Sequence, residues 1–475
     1  MLSDNNANRI KKKLLIETAR LAFEGNLEQK LDELVIKMFP RKKAANRCCA
    51  YKERAVVKYR LMAILGHSVE DETDELKTLG AYSNDALKRE TVENPILTVI
   101  DEACTSCPKG RHFVTNVCRG CVARPCMVNC SKDAITMVDG KARIDEDKCV
   151  NCGICLKVCP YHAIVSIPIP CEEACPVGAI EKDENGTESI DYDKCIYCGR
   201  CMMACPFGAI MERSQIIDVI KKIKSGRKVV AMLAPAIAGQ FPCEFEKIIG
   251  AVKALGFSDV IEVAHGADIT AQHEAKEFME KMEQGQRFMT SSCCPVYKEA
   301  AKKHINSLQE FISDTPTPMD FTGRRSKETD PDAVTVFVGP CIAKRAEAIN
   351  TGSVDFVITA EELGAMFVAK DIFVRDAEEQ QTPIKPTSEG REFAISGGVT
   401  EAVKSCLDNN ADIKPVLIDG LDKKSIKLLN AYSKVKCPGN FVEVMNCQGG
   451  CIAGPGNLSS PKSGAKRIKE LSDKQ

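Results

Sequence analysis

The sequence predicts an α/β domain with mostly parallel sheets, preceded by a small cysteine-rich α+β module and an N-terminal helical segment. Three observations support this fold class. Short apolar runs alternate with helical stretches from Lys228 onward, sixteen of the 26 cysteines lie between positions 104 and 205, and apolar residues recur at intervals of three and four near the start. A length of 475 residues corresponds to about three domains. The predicted boundaries are 1–95, 96–214 and 225–475.

The composition excludes several classes of protein. A formal net charge of −1 gives no general attraction to nucleic acid or anionic membranes. The chain has no run of about 18 apolar residues, and its first residues lack the apolar core of a signal peptide. We therefore expect a cytoplasmic protein with no nucleic-acid or membrane partner. Because thiols stay reduced in that compartment, the cysteines are expected to be metal ligands, catalytic thiols or small buried residues rather than disulfides.

The first segment reads as helical over 8–23, 27–39 and 41–65. Its stretch from Arg41 to Arg60 carries eight basic residues against one acidic residue, Glu53. Two main interpretations of this stretch are a solvated helix face and a docking patch for an acidic partner protein. Nucleic-acid binding is a third, but the stretch lacks interleaved aromatics beyond Tyr51 and Tyr59.

The middle segment repeats a cysteine pattern. The frame C-x2-C-x2-C-x3-C-P occurs within 148–164 and again within 194–210, and weaker copies of its tail lie at 126–135 and 171–180. Each copy ends in Ala-Ile at the same distance from its last cysteine. Thiolates suit soft iron, whereas a zinc site needs neither the third cysteine step nor the proline. The pattern therefore favours iron–sulfur clusters over zinc.

This frame resembles the ligand run of bacterial ferredoxins, in which three cysteines hold one cubane and the fourth holds its neighbour. The whole module is similar to the four-cluster electron-transfer subunits of molybdopterin oxidoreductases. Four [4Fe-4S] clusters are therefore expected. The expected ligand sets are Cys118, Cys121, Cys126 and Cys159; Cys130, Cys149, Cys152 and Cys155; Cys175, Cys195, Cys198 and Cys201; and Cys104, Cys107, Cys171 and Cys205.

The last segment alternates predicted strands and helices. Three cysteine-bearing loops follow apolar runs: TSSCCP at 290–295, VGPC at 338–341 and NCQGGC at 446–451. Because sites in parallel α/β folds gather at the carboxyl ends of strands, these loops are expected to share one metal site. The predicted strands are 228–234, 259–264, 333–338, 355–360 and 440–445, and the predicted helices include 268–284 and 296–311.

The motifs TSSCCPVY, GPCIAKRAEA and EVMNCQGGCIAGPG resemble the signature loops of iron-only ([FeFe]) hydrogenases, and SGGVTEA at 396–402 also fits. The resemblance implies an H-cluster, in which a [4Fe-4S] cubane is bridged by Cys451 to a two-iron subsite carrying CO, cyanide and azadithiolate. The implied cubane ligands are Cys294, Cys341, Cys447 and Cys451.

The resemblance also implies roles for other residues near the cofactor. Cys293 would pass protons to Glu274, Ser313 and Glu277 in turn, with Lys281 near the exit. Lys344 would bind a cyanide ligand and be supported by Glu347. Pro235 and Met445 would line the pocket.

The resemblance implies a divergent, monomeric hydrogenase that exchanges electrons with ferredoxin or a similar small carrier and depends on hydrogenase maturation proteins. Its departures from the common loops include Tyr297, Gly339, Met319 and Ala236. A hydrogen sensor with the same cofactor is the alternative. An iron–sulfur assembly protein is disfavoured by Cys293, and a pure electron-transfer subunit is disfavoured by the three C-terminal loops.

Overall fold

The computed structural model describes residues 5–42, 46–104, 107, 111–407 and 412–474. The first segment is helical, but the predicted stretch 41–65 is wrong at its start. Cys49 is extended and α3 begins only after it, while positions 43–45 lie outside the described residues. Gly66 ends the segment's third helix with a left-handed φ of 84°, as expected for a helix stop. The helices are α1 (Asn6–Glu24), α2 (Leu27–Met38), α3 (Ala50–Ile64) and α4 (Leu79–Lys88).

Basic residues of the stretch from 41 to 60 contact the chain itself. Arg47 pairs with Glu53 at 2.9 Å. The buried Arg60 donates to the carbonyl oxygen of Phe207 at 2.8 Å, and Arg47 donates to the same oxygen at 3.3 Å. At these positions the charges hold α3 against the cysteine-rich module, so they do not form a free docking patch.

The cysteine-rich module consists of short helices and antiparallel strand pairs. Strand β1 pairs with β8, β2 with β5, β3 with β4, and β6 with β7. Residues between 114 and 164 form a small core of their own, whereas the rest of the module joins the main core of the molecule. The elements are β1 (Leu97–Val99), α5 (Asp101–Cys104), β2 (His112–Val114), α6 (Pro125–Val128), β3 (Ile135–Val138), β4 (Lys141–Ile144), α7 (Ile154–Val158), β5 (Ile164–Ser166), α8 (Pro170–Ala174), β6 (Ile180–Lys182), β7 (Glu188–Ile190), α9 (Arg200–Ala204) and β8 (Ile210–Glu212).

The last segment contains two parallel sheets. One has the order β10-β9-β12-β13 and the other the order β11-β15-β14. The helices and strands are α10 (Ile216–Lys224), β9 (Val229–Leu233), α11 (Phe245–Ala254), β10 (Asp259–Glu262), α12 (Val263–Glu283), β11 (Met289–Thr290), α13 (Pro295–His304), α14 (Pro318–Thr329), β12 (Val334–Val338), α15 (Ala343–Thr351), β13 (Phe356–Ile358), α16 (Ala360–Ala369), α17 (Ser388–Glu392), α18 (Gly398–Ser405), β14 (Pro415–Asp419), α19 (Lys423–Lys434), β15 (Phe441–Met445) and α20 (Pro461–Ser472). Short 3₁₀ helices cover Pro235–Gly239, Asn306–Phe311, Val374–Asp376 and Cys451–Ala453.

The five predicted strands are present, and two boundaries of the predicted helices are wrong. Helix α12 begins at Val263, within the predicted strand 259–264, and its first turn contains Gly266. In the structure this glycine lets α12 lie against the backbone of Pro318 at the start of α14, where a Cβ would clash. The predicted helix 296–311 ends at His304 and continues as a 3₁₀ turn.

Buried ion pairs join the three segments. Lys11 of α1 binds Glu212 of β8 at 2.8 Å and Glu361 of α16 at 2.6 Å. Within the last segment, fully buried Arg345 binds fully buried Glu362 at 2.6 Å, and Ser214 of the middle segment donates to the same carboxylate. Breaking such a pair leaves an uncompensated charge in the core, so these contacts fix the segments relative to one another. Among the described residues, no helix is long and apolar enough to span a membrane.

Candidate iron–sulfur and catalytic sites

Four copies of one backbone turn follow the repeated cysteines. In each copy the alanine four residues after a cysteine is 1% exposed, and its N–H donates to the cysteine Sγ at 3.2 to 3.4 Å. The isoleucine after that alanine begins a strand. The shared Ala-Ile therefore has a structural reason, because a small residue brings its N–H to the sulfur and the strand anchors the turn. The bonded pairs are Ala134–Cys130, Ala163–Cys159, Ala179–Cys175 and Ala209–Cys205.

The turn requires a left-handed residue directly before the alanine. A second left-handed position lies directly before the second cysteine of a Cys-x-x-Cys pair. Non-glycine residues seldom adopt this conformation, so its recurrence at equivalent positions reflects a shared need to wrap the backbone tightly. The first position is occupied by Asp133, His162, Gly178 and Gly208, and the second by Gly120, Asn151 and Tyr197, with φ between 47° and 66° in all seven.

Two cavities in the module are each lined by four cysteines. One is lined by Cys130, Cys149, Cys152 and Cys155. The other is lined by Cys175, Cys195, Cys198 and Cys201. The structure thus brings together two of the predicted ligand sets, each including the cysteine that is remote in sequence.

Within each of the other two predicted sets, two cysteines lie close enough to a third to raise its pKa. Burial raises the pKa of Cys126, and Cys159 and Cys121 raise it further. Burial raises the pKa of Cys171 to about 12, with smaller contributions from Glu188, Cys205 and Cys104. Among the described side chains, no three His, Cys, Asp or Glu groups converge on the position of a single metal ion. The cysteines instead surround spaces, which is the arrangement a multi-iron cluster requires.

A cavity of about 90 Å³ lies where the two parallel sheets meet at their carboxyl ends. Cys293 and Cys294 reach it from the loop after β11, Cys341 from the loop after β12, and Cys447 and Cys451 from the loop after β15. Three loops thus bring five thiols to one space, as the sequence predicts.

A buried lysine lies on the same cavity. Lys344 of α15 is 8% exposed and binds the Glu347 carboxylate at 2.7 Å. Its Nζ also lies 3.5 Å from the Thr317 hydroxyl, which itself donates to Glu347. Although burial lowers the pKa of Lys344, the neighbouring Glu347 raises it more, so the ammonium stays charged. Thr317, which caps α14, is a supporting residue that sequence reasoning missed.

A buried carboxyl lies next to Cys293. Glu274 of α12 is fully buried, and its Oε1 accepts from the Ser292 backbone N–H at 2.8 Å and from its hydroxyl at 3.0 Å. Its Oε2 has no hydrogen-bond partner among the described residues. Burial raises the pKa of Glu274 to about 7. Burial, with a contribution from Glu274, also raises the pKa of the Cys293 thiol, so the thiol keeps its proton.

The predicted groups continue from Glu274 toward the surface. Ser313 lies beside Glu274 and donates to Glu277 at 2.6 Å. Burial acts to raise the pKa of Glu277, but hydrogen bonds from Lys281 and Ser313 lower it overall. Lys281 binds Glu277 at 2.6 Å and Asp314 at 3.3 Å. The side chain of Asp314 is 93% exposed. The structure therefore brings all five predicted groups into one series that ends at solvent.

Apolar residues complete the cavity. Pro235 and Met445, both predicted, line it together with buried Met319. Glu443 was not predicted; it is buried on β15 and accepts from the backbone N–H groups of Gly397 at 2.7 Å and Thr400 at 2.8 Å. This carboxylate caps the start of α18 and thereby ties the SGGVTEA motif to β15, the strand before the third cysteine-bearing loop.

The module reaches the cavity through the loop that carries Cys198. A Cβ on Gly199 would lie 2.9 Å from Ile342, which follows Cys341. Arg200 donates to the carbonyl oxygen of Asn446, the residue before Cys447, at 2.9 Å. The loop that carries Cys198 is therefore in direct contact with the loops that form the cysteine-lined cavity.

Comparisons with known proteins match two parts of the chain. Residues 227–455 match the family described as iron-only hydrogenase large subunit, C-terminal domain. Residues 142–165 and 188–211 match the 4Fe-4S binding domain. The second family covers both full copies of the cysteine frame, and the first covers all three cysteine-bearing loops.

The relatives include hydrogenases and proteins with other names. The chain is 29% identical over 378 residues to the periplasmic [Fe] hydrogenase large subunit of Nitratidesulfovibrio vulgaris, covering 67% of this chain and 86% of that protein. It is 28% identical to iron hydrogenase 1 of Clostridium pasteurianum, covering 68% and 67% respectively. It is 23% identical to protein NAR1 of Arabidopsis thaliana, covering 55% and 71%. The chain therefore contains a domain similar to the C-terminal domain of the iron-only hydrogenase large subunit, preceded by a module similar to 4Fe-4S binding domains.

Proposed function

We propose that the protein is an [FeFe] hydrogenase that catalyses 2H⁺ + 2e⁻ ⇌ H₂. The observation that carries the proposal is the cavity in which five thiols from three loops meet buried Lys344. We assign Cys294, Cys341, Cys447 and Cys451 as ligands of the cubane of an H-cluster, with Cys451 as the bridge to its two-iron subsite. When bound, this cofactor supplies the iron centre at which H₂ is formed or split.

Lys344 suits the role of holding the two-iron subsite. Its ammonium is kept charged by Glu347 and faces a cavity lined mainly by apolar side chains. A charge-assisted hydrogen bond to an anionic cyanide is strong in such surroundings. Pro235 and Met445 exclude water from the same space.

The protonation states of the buried groups support proton transfer along the predicted path. Cys293 keeps its proton because its pKa is raised. Glu274, with a pKa raised to about 7, gives and accepts a proton near neutral pH, as a general acid–base group must. Glu277 is ionised and receives the proton through Ser313 before it leaves by Asp314.

Electrons would travel through four [4Fe-4S] clusters in the module. Two of the four ligand sets line cavities, and three sulfur atoms in each of the other two sets are electrostatic neighbours. The set around Cys198 is the natural last step before the cavity, because Gly199 and Arg200 contact the catalytic loops. We also propose that the chain is divided into three domains, which span residues 1–95, 96–214 and 225–475.

The electron partner would be ferredoxin or a similar small carrier. Val122 is 97% exposed beside Cys121 and lies between Arg119 and Arg124. An exposed apolar tip flanked by two cations suits an acidic carrier that approaches this edge of the module.

We further propose that hydrogenase maturation proteins install the two-iron subsite. We also propose that the protein acts in the cytoplasm, although one relative is named as periplasmic.

Two other functions are distinguishable. A hydrogen sensor would hold the same cofactor with little turnover. An iron–sulfur assembly protein is the second alternative. Such a protein needs no buried thiol next to a carboxyl whose pKa is about 7. The pairing of Cys293 with Glu274 therefore favours the enzyme.

The decisive experiment is infrared spectroscopy of the maturated holoprotein, combined with an H₂ assay. Bands of CO and cyanide together with rapid turnover support the hydrogenase, and bands with negligible turnover support the sensor. Absence of the bands in protein with full cubane iron overturns both. Cys341→Ser is expected to lose the bands, whereas Cys243→Ser, a half-buried thiol outside the cavity, is expected to keep them.

A further inference from the structure

A histidine in the module is buried without a hydrogen-bond partner. His112 lies at the start of β2, where only 7% of its surface is exposed. Neither Nδ1 nor Nε2 has a hydrogen-bond partner among the described residues. Buried polar groups are normally paired, because an unpaired one loses its bonds to water without replacement. This ring therefore needs a partner other than the described protein groups.

The ring lies at the cavity lined by Cys130, Cys149, Cys152 and Cys155. A Cβ on Gly153, between the last two of these cysteines, would lie 3.9 Å from His112 Nε2. Strand pairing with β5 holds the residue in this position, since His112 is in register with Ser166. The side chain is thus directed at the loop that would wrap a cluster.

We propose that His112 donates an N–H hydrogen bond to a sulfur of the [4Fe-4S] cluster held by these four cysteines and thereby raises its reduction potential. The inference rests on the proposed cluster at this set, not on hydrogenase activity. Reduction adds negative charge to the cluster, so a donor to its sulfur stabilises the reduced form. The four cysteines supply all the iron ligands a cubane needs, which leaves the imidazole free to act as a donor.

The test uses the full-length holoprotein, with potentiometric titration followed by electron paramagnetic resonance. The His112→Phe variant is expected to move one cluster's midpoint to a more negative potential, with unchanged iron content and unchanged midpoints elsewhere. The His112→Gln variant keeps an N–H donor, so its midpoint is expected to lie between those of His112→Phe and the wild type. His67→Phe is the matched control, because His67 bonds the carbonyl oxygen of Tyr82 and does not line the cavity of these cysteines.

Two outcomes overturn the proposal. Unchanged midpoints in His112→Phe, with all clusters present, show that the ring is not a donor. Conversion of one cluster to a three-iron form shows that the imidazole is an iron ligand instead. Wild-type protein that lacks a cluster at this set contradicts the proposed cluster count, so failure of that count is distinguishable from failure of the hydrogen bond.

Discussion

The buried carboxyl of Glu274 allows a prediction that joins stability to proton transfer. Moving its pKa from 4.5 to about 7 makes the ionised carboxylate about 3 kcal/mol less stable in the folded chain than in the unfolded chain, at about 1.4 kcal/mol per pH unit. The folded chain holds this proton to a higher pH than the unfolded chain does. The contribution of Glu274 to the stability of the folded chain is therefore greatest below pH 4.5 and falls as the pH rises from 4.5 to about 7.

The substitution Glu274→Gln removes this pH dependence. Gln keeps an oxygen that can accept both bonds from Ser292, and any cost of burying its amide is the same at every pH. The thermal unfolding midpoints of the two proteins, prepared with equal iron content, should therefore diverge in favour of the variant as the pH rises from about 5.5 to about 8. The H₂ turnover of the variant should fall by about 100-fold or more, because an amide does not relay a proton.

Glu280→Gln is the matched control for this experiment. It makes the same chemical change on the same helix at a side chain that is 56% exposed, so the midpoint and turnover should both stay near wild type. A midpoint difference between Glu274→Gln and wild type that does not vary with pH would refute the assigned pKa. Unchanged turnover in that variant would refute the proton path.

Three further predictions concern other parts of the site. Cys293→Ala should keep the CO and cyanide infrared bands but lose about 100-fold in H₂ turnover, and unchanged turnover would contradict its role. Lys344→Met leaves Glu347 without its cation and should weaken those bands while cubane iron is unchanged; full-strength bands would count against the assigned contact. Gly199→Val forces a side chain against Ile342 at a φ of 72°, and should slow carrier-dependent turnover with the bands retained; wild-type rates would show that this contact is not on the electron path.

Local spacing made the proposed ligand residues recognisable in the sequence. The four-residue interval between each repeated cysteine and its alanine is a property of one turn, and an N–H to sulfur bond closes it, as at Ala179 and Cys175. The meeting of the three cysteine-bearing loops was equally predictable from the sequence, because each loop follows an apolar strand and parallel strands end at a common edge.

Other features could not be predicted because no local pattern encodes them. Strand β14 was missed, and the division into two sheets that meet at the cavity depends on pairings far apart in sequence. Ser292, Thr317 and Glu443 are ordinary polar residues in the sequence, and only their burial beside charged groups reveals what they hold.

The sequence by itself determined the chemistry of this protein, namely which thiols are candidate ligands and which loops carry them, since spacing and residue type are local properties. The tertiary structure decided which thiols share a space, and it set the charge states around them. Burial of Glu274 by α12 and the loop of Ser292 raises its pKa to about 7, and the ion pair with Glu347 keeps buried Lys344 charged. Desolvation and charge pairing depend on the whole packed molecule, so these charge states cannot be inferred from residues that are adjacent in the sequence.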